Sequence, residues 1–188
     1  MKKTLLLIAA AVTFSGLTVA QKNDAPKWDV NYPPGKFKSV NFDVSEGTWM
    51  NLDVSPDGKE LVFDMLGDIY TIPVTGGKAK AIRTGYAFEV QPRYSPDGKQ
   101  ICFTSDAGGG DNIWVMDRDG NNAKQITKED FRLLNNGIWH PSGNYLIARK
   151  HFTSGRSLGA GELWMYHISG AVAGNPNELK PKLIVGIV

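Results

Sequence analysis

The chain has 188 residues, 41% of them hydrophobic and 21% charged, an ordinary globular balance that argues against disorder and a length that fits about one domain. Its formal net charge is +2; with Lys2 and Lys3 set aside as part of a leader, 19 basic residues face 19 acidic ones. That neutrality removes the electrostatic argument for binding nucleic acid or an anionic membrane surface.

Residues 1–20 read as a signal peptide. Lys2 and Lys3 form its positive end, residues 4–12 are an apolar run, and Thr18-Val19-Ala20 offers small residues for cleavage before Gln21. The apolar run is short of the roughly 18 to 20 residues of a spanning helix, so a stable membrane anchor is not expected. The single cysteine, Cys102, lies in a predicted strand and reads as a small buried hydrophobe. Export without a disulfide fits a periplasmic protein. Residues 21–45 carry Pro26, Pro33 and Pro34 and read as an extended lead-in. Residues 39–44 could form a strand.

The chain then becomes repetitive. Ser55-Pro56-Asp57-Gly58 returns as Ser95-Pro96-Asp97-Gly98 and, in altered form, as His140-Pro141-Ser142-Gly143. Proline presets φ, Asp or Ser bonds its own backbone, and Gly takes a left-handed conformation, so each copy is a tight turn. Strand-like runs flank each turn, and each copy reads as a hairpin. Before the first turn, Met50, Leu52 and Val54 alternate with Asp53, which is expected on an outward face. A second repeated element follows each hairpin: Asp68-Ile69-Tyr70, Asn112-Ile113-Trp114 and Glu162-Leu163-Trp164. Gly76 and Gly120 each lead to a further strand near Ile82 and Ile126. The turns recur at 40 and then 45 residues. Four strands in about 40 to 45 residues is the spacing of a β-propeller blade.

The fold class expected is therefore all-β: an incomplete β-propeller of about three four-stranded blades over residues 46–169, near 46–84, 88–127 and 136–169. A helical turn is possible at 131–134, and no stretch has sustained helical periodicity. Residues 170–188 look like an atypical tail in which the pattern stops. Since a propeller closes with about 4 to 8 blades, the chain reads as the front part of something longer.

Chemistry is sparse. Gly155-Arg156-Ser157-Leu158-Gly159 matches a nucleophile-elbow pattern, but the elbow needs a strand before it and a helix after it, and Gly159 and Gly161 oppose the helix. Asp117-Arg118-Asp119-Gly120-Asn121 lacks the glycine and glutamate positions of an EF-hand loop and reads as a glycine turn. Gly108-Gly109-Gly110 lacks the Lys-Ser/Thr of a phosphate loop. His140, His151 and His167 form no metal-ligand pair, and His140 reads as a turn residue. No catalytic, cofactor-binding or metal-binding residue is assigned. An insertion over residues 149–161 supplies the one candidate interface: Arg149, Lys150, His151 and Arg156, with His151 the best placed to face a ligand or partner. Tyr70, Trp114 and Trp164 recur at equivalent blade positions and read as packing between blades.

The Ser-Pro-Asp-Gly hairpins with their Asp/Asn-Ile-aromatic elements resemble the WD40-like PD40 repeats of TolB-type propellers. Longer phrases resemble one group of exported bacterial proteins with a TolB-like propeller in front of an amidohydrolase domain. They are Glu46-Gly47-Thr48-Trp49-Met50, Gly108-Gly109-Gly110-Asp111-Asn112-Ile113-Trp114, Lys128-Glu129-Asp130-Phe131-Arg132-Leu133-Leu134 and Ala148-Arg149-Lys150-His151-Phe152-Thr153-Ser154. The resemblance implies a non-catalytic scaffold whose partner is a C-terminal catalytic domain. Any metal, zinc by the resemblance, would belong to that domain and not to this chain. Two other readings stay open: a periplasmic, protein-binding propeller of the TolB kind, and the propeller of a prolyl-oligopeptidase-like serine protease.

Overall fold

A computed structural model describes residues 29–41, 43–153, 160–170 and 181–187. The leader and the elbow-like Ser157 lie outside the described residues. The repeat resolves into three antiparallel sheets of four strands each. Blade one holds β1 (Leu52–Val54), β2 (Glu60–Met65), β3 (Asp68–Pro73) and β4 (Lys80–Arg83). Blade two holds β5 (Glu89–Tyr94), β6 (Gln100–Ser105), β7 (Asn112–Asp117) and β8 (Lys124–Gln125). Blade three holds β9 (Leu134–Trp139), β10 (Tyr145–His151), β11 (Gly161–His167) and β12 (Lys182–Ile187). An incomplete propeller of three blades is what the turn spacing predicts.

The turns close as their chemistry requires. In blade two Gly98 N donates to Ser95 O at 2.8 Å, Ser95 Oγ donates to Asp97 Oδ1 at 2.6 Å, and Gln100 N donates to Ser95 Oγ at 2.9 Å. Blade one repeats this around Ser55 and Asp57. In blade three the His140 ring takes over the serine's part: Ser142 N donates to His140 Nδ1 at 3.2 Å. These bonds hold the exposed Asp57 and Asp97 carboxyls below their ordinary range, the serine hydroxyl being the first cause. Gly98 has φ +69°, and a Cβ there would stand 3.3 Å from Pro56 of the neighbouring turn. Conformation and space both favour glycine at that position.

The blades pack face to face. Because each interior sheet has a neighbour on both sides, its strands are apolar on both faces: Ile101, Cys102 and Phe103 are each fully buried. At the first seam Val62 and Ile69 of blade one meet Tyr94, Phe103 and Met116 of blade two, with Trp114 packed against them. At the second, Cys102, Ile113 and Val115 meet Leu146, Ala148 and Tyr166, with Trp139 and Trp164 alongside. Trp114 and Trp164 therefore fill the spaces between blades, as their recurrence implies. Tyr70, at the equivalent place in blade one, stacks on Phe63 with ring centroids 5.6 Å apart. Cys102 is a core residue whose burial pushes its thiol pKa up, and its Sγ lies 3.5 Å from the Gly137 carbonyl.

Several expectations are corrected. Residues 182–187 do not trail off; they pair with β11, Leu163 opposite Val185, and give blade three its fourth strand. The glycine turn before it is present too, Gly170 N donating to His167 O at 3.0 Å. Residues 39–41, 43 and 44 form no strand, and residues 131 and 132 are bends rather than a helical turn. Asp53 does not face outward. Its Oδ2 accepts from Tyr94 N of blade two at 2.8 Å, while Leu52 and Val54 are the exposed residues of β1, at 56% and 47%. Alternation assigned the residues to two faces correctly, but blade two lies on the polar one.

Asp53 should therefore matter to stability. Asp53→Ala strips the Tyr94 amide of its acceptor at a seam and is expected to cost about 1–3 kcal/mol, read as a lowered urea midpoint with an unchanged slope. A midpoint within error of the parent would return Asp53 to the surface.

Candidate functional site

Turns and loops sort to two ends of the blades. One end carries the Ser-Pro-Asp-Gly turns with the glycine turns at Gly76, Gly120 and Gly170. There, a groove of about 460 Å³ runs between the turns of blades two and three, lined by Ser95, Asp97, Ser142, Asn144 and Ile168. The Asp117–Asn121 segment is at this end and is spent on its own turn: Gly120 N donates to Asp117 O at 2.9 Å, and Asn121 N to Asp119 Oδ1 at 3.0 Å. The opposite end carries the longer connections and the candidate residues.

At that end Arg149, Lys150 and His151 lie on β10 rather than in an inserted loop, because the strand runs on to His151 and pairs it with Gly161. The insertion proper begins after His151. Lys150 is ion-paired to Glu129 and stands 5.0 Å above the Trp164 ring. Trp164 Nε1 donates to Glu162 Oε2 at 2.8 Å, and Arg132 pairs with the same oxygen at 3.1 Å. Arg132 in turn lies 5.9 Å from the Phe152 ring centre. The result is a continuous chain of alternating charge across the end of blade three. Burial raises the Tyr166 pKa, and the Glu129 and Glu162 carboxylates add to the rise.

His151 is not presented to a partner. It is 3% exposed, and its Nε2 lies 3.2 Å from Asn135 Oδ1 of β9, so it wedges the inner strands. Arg149 is half-buried and lies across Gly161, where a Cβ would come 2.9 Å from the Lys150 carbonyl and 3.4 Å from Arg149 Nε. Arg156 lies outside the described residues. Among the described residues no group of three or more His, Cys, Asp or Glu could hold a metal ion.

Two features escaped the sequence reading. The first is Glu89, 2% exposed, whose Oε1 accepts from Arg83 Nε at 2.8 Å at the seam of blades one and two. The second is an apolar fringe on the same end: Leu66, Tyr86, Phe88, Phe131 and Phe152 are all exposed, and Phe37 of the lead-in packs against Tyr86 at 4.9 Å. Hydropathy patterns do not reveal the fringe, because loop residues have no periodicity.

Burial raises the Glu89 pKa above its ordinary 4.5, with Arg83 opposing. The folded state thus holds the proton more tightly than the unfolded chain. The stabilisation is present below 4.5 and is lost as pH rises through the folded value. Glu89→Gln should remove that fall from a stability-against-pH profile; an unchanged slope above 4.5 would assign it to other groups.

The family of the TolB beta propeller domain (PD40) matches residues 39–164. The chain is 33% identical over 91 residues to an uncharacterized protein of Agrobacterium fabrum, a match covering 46% of this chain and 29% of that one. It is 27% identical over 135 residues to the Tol-Pal system protein TolB of Helicobacter hepaticus, covering 70% of this chain and 31% of that one. Among solved structures, TolB from Acinetobacter baumannii superposes with a TM-score of 0.55 at 23% identity, over 72% of this chain and 32% of that one. The chain thus spans about a third of the length of the curated relatives it matches. The repeat, its three packed blades and the extent of the family match agree, and the chain belongs to the TolB β-propeller domain family.

Proposed function

We propose that this chain is a non-catalytic scaffold and protein-interaction segment of a TolB-like propeller, exported to the periplasm. The observation that carries this reading is how its reactive side chains are used. Lys150 is committed to Glu129, Glu162 to Arg132 and Trp164, and His151 to the inner strands. Groups held in mutual ion pairs at an apolar-fringed loop end suit a surface that another protein covers. Export rests on the leader pattern of Lys2, Lys3, residues 4–12 and Thr18-Val19-Ala20.

A second reading names the partner as a catalytic domain of the amidohydrolase kind in the same protein. The longer phrases around Glu46-Gly47-Thr48-Trp49-Met50 and Ala148-Arg149-Lys150-His151 favour it. The blades would then shape access to a metal-dependent hydrolase site supplied elsewhere, with any zinc held there.

A photo-reactive residue at Phe131, at the loop end, should cross-link to one discrete protein or domain in the cell envelope, and the same residue at Asp119, at the turn end, should not. The purified chain should turn over no amide or ester substrate, with or without added zinc. Equal cross-linking from both ends, or turnover abolished by Ser157→Ala, would contradict the reading.

A further inference from the structure

The two seams are closed differently at the turn end. At the first, Arg118 follows the last residue of β7 and reaches back over the turn of blade one. Its Nε pairs with Glu60 Oε1 at 3.1 Å, its Nη1 lies 3.8 Å from Asp57 Oδ2, and its guanidinium carbon stands 5.4 Å from the Tyr94 ring centre. The Tyr94 hydroxyl donates to the same Glu60 oxygen at 2.7 Å. The two turns are in close contact here: a Cβ added to Gly98 would meet Pro56 at 3.3 Å and Arg118 at 3.7 Å. One guanidinium fills the space between them.

The repeat identifies what stands in each of these places at the second seam. Trp164 opposes Ala148 as Trp114 opposes Phe103, and Ile168 N donates to Asn144 O as Arg118 N donates to Lys99 O. Ile168 therefore takes the place of Arg118, Gln100 that of Glu60, and Asp97 that of Asp57. Isoleucine is shorter than arginine and has no charge to carry across. The turns stand apart as a result: among the described residues nothing lies within 4 Å of a Cβ added to Gly143, the counterpart of Gly98. The space that Arg118 fills at the first seam is open at the second, as the groove of about 460 Å³ lined by Asp97, Gln100, Asn144 and Ile168.

The acceptors of that space remain. Asp97 Oδ1 accepts from Ser95 Oγ and the Lys99 amide within its own turn, as Asp57 Oδ1 accepts from Ser55 and Lys59. Asp97 Oδ2 is left, the counterpart of the oxygen that faces Arg118. Its contact with Lys99, at 3.7 Å, joins side chains that are 58% and 81% exposed, and such a pair exchanges at little cost. Among the described residues the side-chain amide of Gln100 has no hydrogen-bond partner. We propose that this groove binds a guanidinium group from outside the chain, that of free arginine or of an arginine in a short peptide, in the place that Arg118 takes at the first seam. Asp97 Oδ2 pairs with it, Gln100 Oε1 accepts from a second N–H, and Ile168 packs on the alkyl stem. A planar fork of five donors suits two acceptors side by side, and the volume suits a small ligand. One carboxylate in place of two makes the binding reversible. The groove is at the end opposite the proposed docking surface, so the two stand or fall separately.

Titration of the whole purified chain with arginine, followed by nitrogen–proton correlation NMR, tests this. Arginine should shift the side-chain amide signals of Gln100 and Asn144, and citrulline, its uncharged isostere, should not. Gln100→Glu restores the second carboxylate and should tighten arginine binding roughly two- to fivefold. Ile168→Arg supplies the guanidinium within the chain and should abolish binding while circular dichroism keeps the β signature. Tighter binding of a blocked tripeptide with arginine at its centre would assign the group to peptides; equal or weaker binding would assign it to the free amino acid. No shift at about 50 mM arginine, equal shifts with citrulline, no tightening in Gln100→Glu, or undiminished binding by a folded Ile168→Arg variant would overturn the proposal.

Discussion

Packing of one four-stranded sheet against the next is the interaction on which the rest of this structure depends. A single blade has two apolar faces and can bury neither alone, so stability resides chiefly in the seams. Phe103 illustrates the point. It is fully buried because blade one covers the face of β6 that carries it, while Cys102, on the opposite face of the same strand, is buried under blade three. The polar bonds that cross the first seam, from the Tyr94 hydroxyl to Glu60 at 2.7 Å and from Arg118 to the same carboxylate at 3.1 Å, fix the register of two surfaces that hydrophobic contact alone would leave free to slide.

The seams also explain where chemistry can and cannot sit. Side chains on strand faces are taken up by packing, which is why Cys102 and His151 are structural here. What remains for function is at the two ends, where connections leave the sheets. At the turn end, Asp and Ser side chains bond within their own turns. At the loop end, the ion pairs of Lys150, Glu129, Arg132 and Glu162 sit among exposed aromatic residues. A catalytic group needs a perturbed and reachable side chain; the charged side chains of this surface are paired with one another, which is the observation behind the proposed docking role.

Local physics made much of this legible. The three turns were readable because proline, Asx and glycine preferences act within four residues, and the blades followed from their spacing. The misses came where a decision depended on something distant. Residues 182–187 were not recognised as a strand of blade three because β12 begins twelve residues beyond Gly170, where β4 and β8 begin four residues beyond Gly76 and Gly120. Asp53 was turned the wrong way because alternation separates two faces without saying which one a neighbouring sheet covers. His151 was assigned to an exposed insertion because nothing in its sequence shows that β10 runs one residue further than β2 or β6. Glu89 gave no signal, since its partner Arg83 sits across a loop that only the fold closes.

Hydrogen exchange measured strand by strand tests the central claim most directly, because it reports the free energy of local opening. If the seams hold the fold, the amides of β6 and β7, in the blade covered on both sides within the chain, should be the slowest to exchange. Those of β1 should open earlier. Equal protection in all three blades of a monomeric chain, or greater protection in blade one, would show that each sheet is stable by itself and that the seams are not what holds the structure together.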